Sequence, residues 1–286
     1  MGSPQNPSSA PSFPATITPP QNGDNLDATA LNTNVETPLQ NGVEAARLML
    51  YGGGVKRTVT ATSGTVMTIG PLVAVMAGTT APGPVNTVVV MSAPVTINPR
   101  SLAGGNFVAN TRYWVYAQLS GNPATISAWV VSTTAPEATL SYKSDDYSCY
   151  FVTTFYAIST TGMLRYAQND RYYAYWDRTS LGGGALGNLA LDSSSTSPGP
   201  TTVNWGPSVP TQSNCAKIEV RFTGGAGPEV GIITGTGIGV GPTVELGAST
   251  LVTINYDCPS SNGQTFDYSL STNTGSAAAW IAGFWL

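Results

Sequence analysis

The residues of this chain that could do chemistry are few, and their spacing decides what they can do. Asp145-Asp146 is the only adjacent acidic pair. A glycosidase needs two carboxylates that face each other across a cleft, whereas neighbouring residues in a strand or turn point in opposite directions. We therefore interpret the pair as a solvated turn that follows Tyr142 and Lys143.

A glycine-rich run from Gly235 to Gly241 superficially resembles a phosphate-binding loop. Dinucleotide-binding loops follow a strand and open a helix, because the helix N-terminus completes the anion site. Here Pro242 leads into another predicted strand instead. The run is interpreted as the tip of a connection between strands.

Histidine is absent, which removes the commonest general base and the commonest metal ligand. The Gly-x-Ser-x-Gly motif is also absent, and no spacing of cysteines or carboxylates matches a zinc or calcium site. The sequence therefore predicts no enzyme, no cofactor and no metal site. Cys149, Cys215 and Cys258 cannot all pair within one chain; buried reduced thiols are favoured, and a bridge between Cys215 and Cys258 stays open.

Charged residues make up only 9% of the chain, against about 25% in an average soluble domain. The formal net charge of −4 and the isoelectric point near 4.7 argue against a nucleic-acid partner, which usually needs a basic face. No apolar run approaches the roughly 20 residues of a membrane span, so membrane insertion is not expected. No signal peptide is recognisable, and we expect synthesis in a cytoplasm.

Aromatic residues are the strongest positive signal, and they exceed what one face of a small sheet can bury. Exposed rings beside Asn, Gln and Asp hold sugar rings by stacking and hydrogen bonding. The same rings also suit an interface between subunits, which is the favoured alternative of the two. The candidates for a glycan site or an interface are Trp114, Tyr116, Trp129, Tyr173, Tyr175 and Trp176.

The elements that position these rings are predicted to be strands. In Thr111–Leu119, Tyr113 and Val115 alternate with Trp114 and Tyr116, which predicts a strand with one apolar face and one amphipathic aromatic face. Further β-rich segments with turn residues at their ends fill both halves of the chain, among them Thr125–Ser132 and Thr265–Leu270. The predicted fold class is mainly β: two antiparallel β-sandwich or barrel domains, preceded by an extended arm and short helices.

The predicted boundaries follow shifts in composition. We expect an extended docking arm over 1–25, a short helical anchor over 26–54, a β-sandwich over 55–180, a flexible linker over 181–203 and a C-terminal β-sandwich over 204–286. The final apolar strand, Ala279–Leu286, must be buried, either in a sheet centre or at a subunit contact.

Apolar residues of the arm and of the helical segment are the predicted docking and oligomerisation residues. In the helical segment they recur at three- and four-residue steps. Packing on the chain's own β domain, against copies around a symmetry axis, and against a docking partner all stay open. These residues are Phe13, Ile17, Leu31, Val35, Leu39, Val43 and Leu50.

Two stretches resemble a known class of proteins. Ile17–Ala28, with Pro20-Gln21-Asn22-Gly23-Asp24 and then Leu31-Asn32 and Val35, resembles the N-terminal attachment region of bacteriophage tail and fibre proteins. Ala109–Ala117, Ser132–Pro136 and Tyr142–Asp146 resemble a strand module of phage fibre-like virion proteins. The long repetitive shaft of such fibres is missing here.

The resemblance implies a virion structural protein that docks through its N-terminus, projects its β domains and forms a trimer. We expect a non-enzymatic short fibre or appendage on the tail or neck, with itself and other virion proteins as partners and a host-surface glycan as a candidate partner. A capsid decoration protein and a carbohydrate-binding receptor module are the alternatives. The expected location is the virion, after synthesis in the host cytoplasm.

Overall fold

The computed structural model describes residues 57–77, 84–121, 124–176, 189–195, 198–239, 241–259 and 264–286. These residues are mainly β, with antiparallel sheets and one helical turn. The predicted arm and helical anchor lie outside the described residues, with Phe13, Ile17, Leu31, Val35, Leu39, Val43 and Leu50.

The first half of the described chain contains eleven strands and the helical turn. They are β1 (Thr58–Ser63), β2 (Val66–Ile69), β3 (Leu72–Ala77), β4 (Pro84–Met91), β5 (Val95–Ile97), α1 (Pro99–Leu102), β6 (Thr111–Ser120), β7 (Thr125–Ser132), β8 (Tyr142–Lys143), β9 (Asp146–Ala157), β10 (Tyr166–Asn169) and β11 (Tyr172–Tyr175). The second half contains β12 (Leu189–Ser195), β13 (Thr201–Asn204), β14 (Cys215–Thr223), β15 (Glu229–Gly235), β16 (Thr243–Leu246), β17 (Leu251–Pro259), β18 (Thr265–Leu270) and β19 (Ser276–Trp285).

The largest sheet has nine strands in the order β17-β14-β19-β11-β10-β1-β2-β5, with β12 also paired to β19. The final strand β19 therefore lies in the sheet centre, the first of its two predicted placements. Its Phe284 pairs with Tyr173 of β11 on one side and with Ala216 of β14 on the other. Residues on both of its faces are buried, which explains why the strand is apolar throughout.

This central sheet crosses the predicted domain boundary. Strand β11 belongs to the predicted first domain and β19 to the second, yet they hydrogen-bond to each other. The predicted linker over 181–203 also contains β12, which pairs with β19, and most of β13, which pairs with β18. In these stretches the structure has strands where a flexible linker was expected, because neighbouring strands offer the polar segment a backbone partner.

A second sheet, in the order β7-β6-β9-β8, carries the aromatic block. The prediction of one amphipathic, partly exposed face on β6 is wrong, because the strand is buried on both faces. On one face Tyr113 stacks on Phe155, with centroids 5.4 Å apart and an interplanar angle of 11°. On the other face Trp114 and Tyr116 meet the edge of Phe151. The aromatic rings on both faces of β6 therefore pack in the hydrophobic core.

The third main sheet, β13-β18-β15-β16, faces the C-terminal part of the central sheet. The layers approach closely where Gly231 of β15 meets Phe222 of β14: a Cβ atom at Gly231 would lie 2.9 Å from the Phe222 ring. β3 and β4 form a separate two-stranded pair. No sheet closes on itself within the described residues.

Candidate functional site

The structure buries most of the aromatic residues that were predicted to line a glycan site or an interface. Trp114, Tyr116, Tyr173 and Tyr175 are buried, Trp129 is half-buried, and only Trp176 is exposed, at 46%. The apparent surplus of rings is explained by packing in the core, where Tyr173 stacks on Phe284 of the neighbouring strand with the ring centroids 4.5 Å apart. Aromatic stacking on a sugar is therefore left to Trp129 and Trp176 among these candidates.

The acidic pair lies where a solvated turn was expected, in the hairpin between β8 and β9. The Asp145 carboxylate pairs with the Lys143 ammonium group. The Asp146 carboxylate accepts hydrogen bonds from the backbone N–H of Ser148 at 2.9 Å and from its hydroxyl at 2.7 Å. Burial alone would raise the pKa of Asp146, but these hydrogen bonds outweigh it and lower the pKa. The pair shapes a turn.

The three cysteines are free thiols, as the sequence favoured. Cys215 is opposite Pro259, and Cys258 is opposite Ala216, so the two side chains lie on opposite faces of the sheet and cannot bridge. Burial raises the pKa of Cys149 and Cys215 to about 11 and that of Cys258 to about 12. Protonated thiols are poor nucleophiles and poor metal ligands.

A concave polar surface, a pocket of about 590 Å³, lies where the central sheet meets the aromatic sheet. We call it the arginine pocket. Residues from seven parts of the chain line it: the residue before β1, strand β3, the loop before β8, strand β9, the segment from β10 to β11, the loop before β14 and the residue after β19. Its polar and charged lining side chains include Arg57, Thr139, Ser141, Gln168, Arg171 and Asn214.

Arg57, directly before β1, forms one wall of the arginine pocket. Its guanidinium lies 5.2 Å from the centroid of the Tyr150 ring and 5.6 Å from that of Phe151, and its Nη2 donates to the Tyr150 hydroxyl at 2.9 Å. Its backbone carbonyl accepts from the N–H of Asp170 at 2.7 Å. These contacts hold the guanidinium on the aromatic sheet and leave further N–H donors available within the described residues.

Gln168 forms the floor of the pocket and is only 4% exposed. Its Nε2 donates to the backbone carbonyl of Asp170 at 2.7 Å. A carbonyl can only accept, so this bond sets the orientation of the amide. The Gln168 Oε1 atom is buried and has no hydrogen-bond partner among the described residues. A buried acceptor without a donor is costly, and because this atom has almost no accessible surface, a ligand does not reach it in this side-chain position.

The turn between β10 and β11 positions the second cation. Asp170 adopts a left-handed conformation with φ of 57°, which Asp tolerates better than most residues. Two backbone hydrogen bonds fix the turn. The Asp170 N–H donates to the Arg57 carbonyl, and the Leu286 N–H donates to the Arg171 carbonyl at 3.0 Å. The Arg171 side chain is exposed at the pocket, and neither it nor Arg57 forms an ion pair with a carboxylate of the described residues.

The described lining of the arginine pocket lacks the paired carboxylates of a glycosidase. Asp170 carries the only carboxylate side chain among the described lining residues, so no pair of carboxylates faces across it. Sequence reasoning missed this site because its residues are far apart in the chain and none belongs to a motif. The one sequence signal that could have drawn attention to these arginines is that cationic side chains are scarce, with 11 Lys and Arg in 286 residues.

Comparison with known proteins identifies no relative: no protein-family model matches the chain, and no curated protein matches it. Within the part of the chain that the structure describes, no group of three or more His, Cys, Asp or Glu side chains is placed to hold a metal ion. No helix in the described ranges has the length and apolar character needed to cross a membrane.

Proposed function

We propose that this chain is a non-enzymatic structural protein of a bacteriophage virion, built as a short trimeric appendage on the tail or neck. The observation that carries the proposal is the sequence resemblance to two parts of phage proteins. Ile17–Ala28, with Leu31-Asn32 and Val35, resembles the attachment region, and the segments Ala109–Ala117, Ser132–Pro136 and Tyr142–Asp146 resemble a fibre module. The mainly β structure supports it, because stacked antiparallel sheets make the rigid projecting units that such an appendage needs.

The proposal assigns separate roles to the two ends of the chain. Residues 1–54 anchor the protein on the particle, and the apolar stripe with Leu31, Val35 and Leu39 packs around the trimer axis. The described β layers project outward as β-sandwiches, with the Phe222–Gly231 contact as the close approach between two layers. Tail or neck proteins are the expected partners, and a capsid position is the alternative.

Mass spectrometry of purified phage particles that carry this gene tests the location. We expect the chain at a copy number that is a multiple of three, together with tail or neck proteins after the particles are dissociated. Co-purification with heads alone would replace the appendage by a decoration protein. Absence from purified particles would overturn the virion role.

Light scattering tests the oligomer on the full chain and on a variant that lacks residues 1–54. We expect a trimer that becomes a monomer on truncation, because the predicted axial residues are then lost. A trimer that survives truncation would move the interface to the β layers. A monomer in both cases would contradict the autonomous trimer.

A further inference from the structure

We infer that β17, the edge strand Leu251–Pro259 of the central sheet, is an interface between two copies of this chain. The two β17 strands pair antiparallel across a two-fold axis at Asn255. The inference rests on β17 alone and does not depend on the virion role. Because the proposed trimer axis lies in residues 1–54, the β17 contact joins chains that belong to separate trimers.

β17 has a long and regular open edge. All nine of its residues pair with β14 without a register shift, from Leu251 opposite Thr223 to Pro259 opposite Cys215. On its other side β17 has no strand partner among the described residues. In an antiparallel strand every second residue directs its N–H and C=O groups to the same side, so β17 presents a row of backbone groups to a further strand.

The features by which proteins usually block an open edge are few in β17. The strand contains no lysine and no arginine, and its pairing with β14 has no β-bulge. Its one charged residue, Asp257, and its one proline, Pro259, both lie at the C-terminal end. The edge strand β7 differs, because its pairing with β6 is interrupted by a register shift between Gln118 and Leu119. β17 is therefore open to pairing over most of its length.

The apolar face of β17 is incompletely covered by the chain itself. Val252, Ile254 and Tyr256 pack against the hydrophobic core but remain half-buried. The residues directly opposite them on β14 are fully buried, and these are Phe222, Val220 and Ile218. Burial therefore decreases at the outer edge of β17, and a strand of a second copy beside it covers this apolar row as β17 covers that of β14.

The exposed face of β17 is complementary to itself in the register centred on Asn255. Leu251 then faces Pro259 of the second copy, so the two strands overlap completely, and moving the axis along the strand shortens the overlap. The Thr253 hydroxyl faces the Asp257 carboxylate, which accepts hydrogen bonds. No like charges face each other, because the two Asp257 side chains lie about 14 Å apart along the strands. The strand thus supplies its own complement, which assigns a second copy as the occupant.

The apolar face is complementary in the same register. Ile254 lies opposite Tyr256 of the second copy, and Val252 lies opposite Cys258. An aromatic ring beside a β-branched side chain is a favourable cross-strand pair. The Tyr256 ring is already held in position, because its hydroxyl accepts a hydrogen bond from the Gly235 N–H at 3.1 Å. Pairing therefore buries apolar side chains without rearranging them.

Disulfide trapping on the full-length protein tests the pairing and its register. Asn255→Cys places two introduced thiols directly opposite each other, with Cα atoms about 4.5–5.5 Å apart, a separation that a disulfide spans. Thr253→Cys is the matched control, because it lies on the same exposed face but its two copies are about 14 Å apart. During oxidation with copper phenanthroline, a non-reducing denaturing gel should show a covalent two-chain species. It should form about tenfold faster for Asn255→Cys than for Thr253→Cys or the unaltered protein.

Charge variants test the same register without introduced cysteines. Asn255→Lys places two ammonium groups opposite each other and should weaken the association about fivefold. Thr253→Lys places its ammonium group opposite the Asp257 carboxylate, so the association should stay equal or become tighter. Sedimentation equilibrium measures both, at protein concentrations around 100 µM, roughly the dissociation constant expected of so small a contact. At low micromolar concentration the β17 pair is dissociated, so the light-scattering test of the trimer is independent of it.

Several results would overturn the inference. These are the absence of trapping for Asn255→Cys, trapping of Thr253→Cys at the same rate, and a mass of the unaltered protein that does not rise with concentration up to about 500 µM. Equal weakening by Asn255→Lys and Thr253→Lys would also overturn it, because a general effect of charge would then explain both. Circular dichroism of each variant shows whether it is folded, and the two lysine variants decide the matter if Asn255→Cys does not fold.

Discussion

Two buried polar side chains in different halves of the molecule differ in how the protein satisfies them. Glu229 of β15 is 2% exposed, and its carboxylate accepts hydrogen bonds from the backbone N–H groups of Gly225 and Gly275 and from the hydroxyls of Thr272 and Thr274. Gln168 of β10 is 4% exposed, and its Oε1 has no partner among the described residues.

This difference in hydrogen bonding distinguishes a side chain that stabilises the fold from one whose acceptor is unused. The Glu229 carboxylate accepts hydrogen bonds from four donors and so holds the surrounding loops together. No acceptor position of this carboxylate is left for a ligand. A buried amide with an unused acceptor carries a cost that no described residue offsets. Glu229 therefore belongs to the architecture of the C-terminal layers, and Gln168 belongs to the arginine pocket.

The largest expected effect tests whether the two regions form one cooperative unit. Phe284 of β19 is fully buried and stacks on Tyr173, the strand neighbour of Gln168, at 4.5 Å and 9°. Phe284→Ala should lower the free energy of unfolding by about 3–5 kcal/mol, because it leaves a cavity in the shared core. Urea denaturation followed by circular dichroism and tryptophan fluorescence measures this loss.

The matched control for this variant is Trp176→Ala, which truncates an exposed ring and should change stability by less than about 0.5 kcal/mol. Coincident transitions with both probes would show one unit across the predicted 181–203 boundary. Two separate transitions, with only one of them shifted by Phe284→Ala, would instead support independently folding domains.

The next effect concerns the loop cluster around Glu229. A Cβ atom at Gly275 would lie 2.1 Å from Glu229 Oε2 and 2.6 Å from the Thr223 carbonyl oxygen, so Gly275→Ala forces the backbone and the carboxylate apart. We expect a loss of about 1–3 kcal/mol in urea denaturation. Gly227→Ala is the control, since no atom lies within 4 Å of its Cβ position. Equal stability of the two variants would refute the close approach.

The charge of Glu229 gives a pH-dependent effect. Burial alone would raise the pKa of Glu229, but the Thr272 hydroxyl and the Gly225 and Gly275 N–H groups outweigh it and lower the pKa. Because the folded pKa lies below the unfolded value, the stabilisation is present above about pH 4.5 and is lost as the pH falls through the folded pKa.

Glu229→Gln should therefore cost about 1 kcal/mol at neutral pH, and the difference from the unaltered protein should shrink towards zero in acid. Urea denaturation midpoints at a series of pH values measure the difference. Glu245→Gln, on the exposed side of β16, is the matched control for the removal of one carboxylate. A cost for Glu229→Gln that stays constant with pH would show that the carboxylate charge contributes nothing.

The smallest expected effect on stability is at Gln168 itself. Gln168→Met loses the Nε2 hydrogen bond to the Asp170 carbonyl and also removes the unpaired acceptor, so the two contributions largely cancel. The thermal unfolding of this variant should correspond to a change below about 1 kcal/mol. A loss as large as that of Gly275→Ala would mean that Gln168 serves the fold as Glu229 does.

Much of the local structure was predictable from the sequence. Thr125–Ser132 and Thr265–Leu270 are strands with the predicted bounds, because alternating and β-branched residues with turn residues at their ends favour extended backbone. The turn at Asp145-Asp146 and the free thiols also agree. The exposed aromatic face on Trp114 and Tyr116 was wrong, since a strand buried on both faces can carry the same alternation as a half-buried one.

The candidate site could not be predicted in the same way. Arg57, Gln168 and Arg171 meet only because β1 pairs with β10 and the β10–β11 turn returns beside Arg57. Sequence reasoning searched for exposed aromatics, whereas the pocket uses aromatics as buried supports under a cation. No local pattern distinguishes these arginines from Arg221, which stacks on Trp280 elsewhere in the molecule.

The sequence by itself determined many of the strands and the turn at Asp145-Asp146, although it predicted a linker where β12 and most of β13 lie. These properties are local, since they depend on side-chain alternation, turn residues and composition. Only the tertiary structure decided that β19 lies between β11 and β14, that the rings of β6 are buried and that two arginines share a pocket. The physical reason is that sheet pairing joins backbone groups distant in the chain, and backbone hydrogen bonds are nearly the same for every partner.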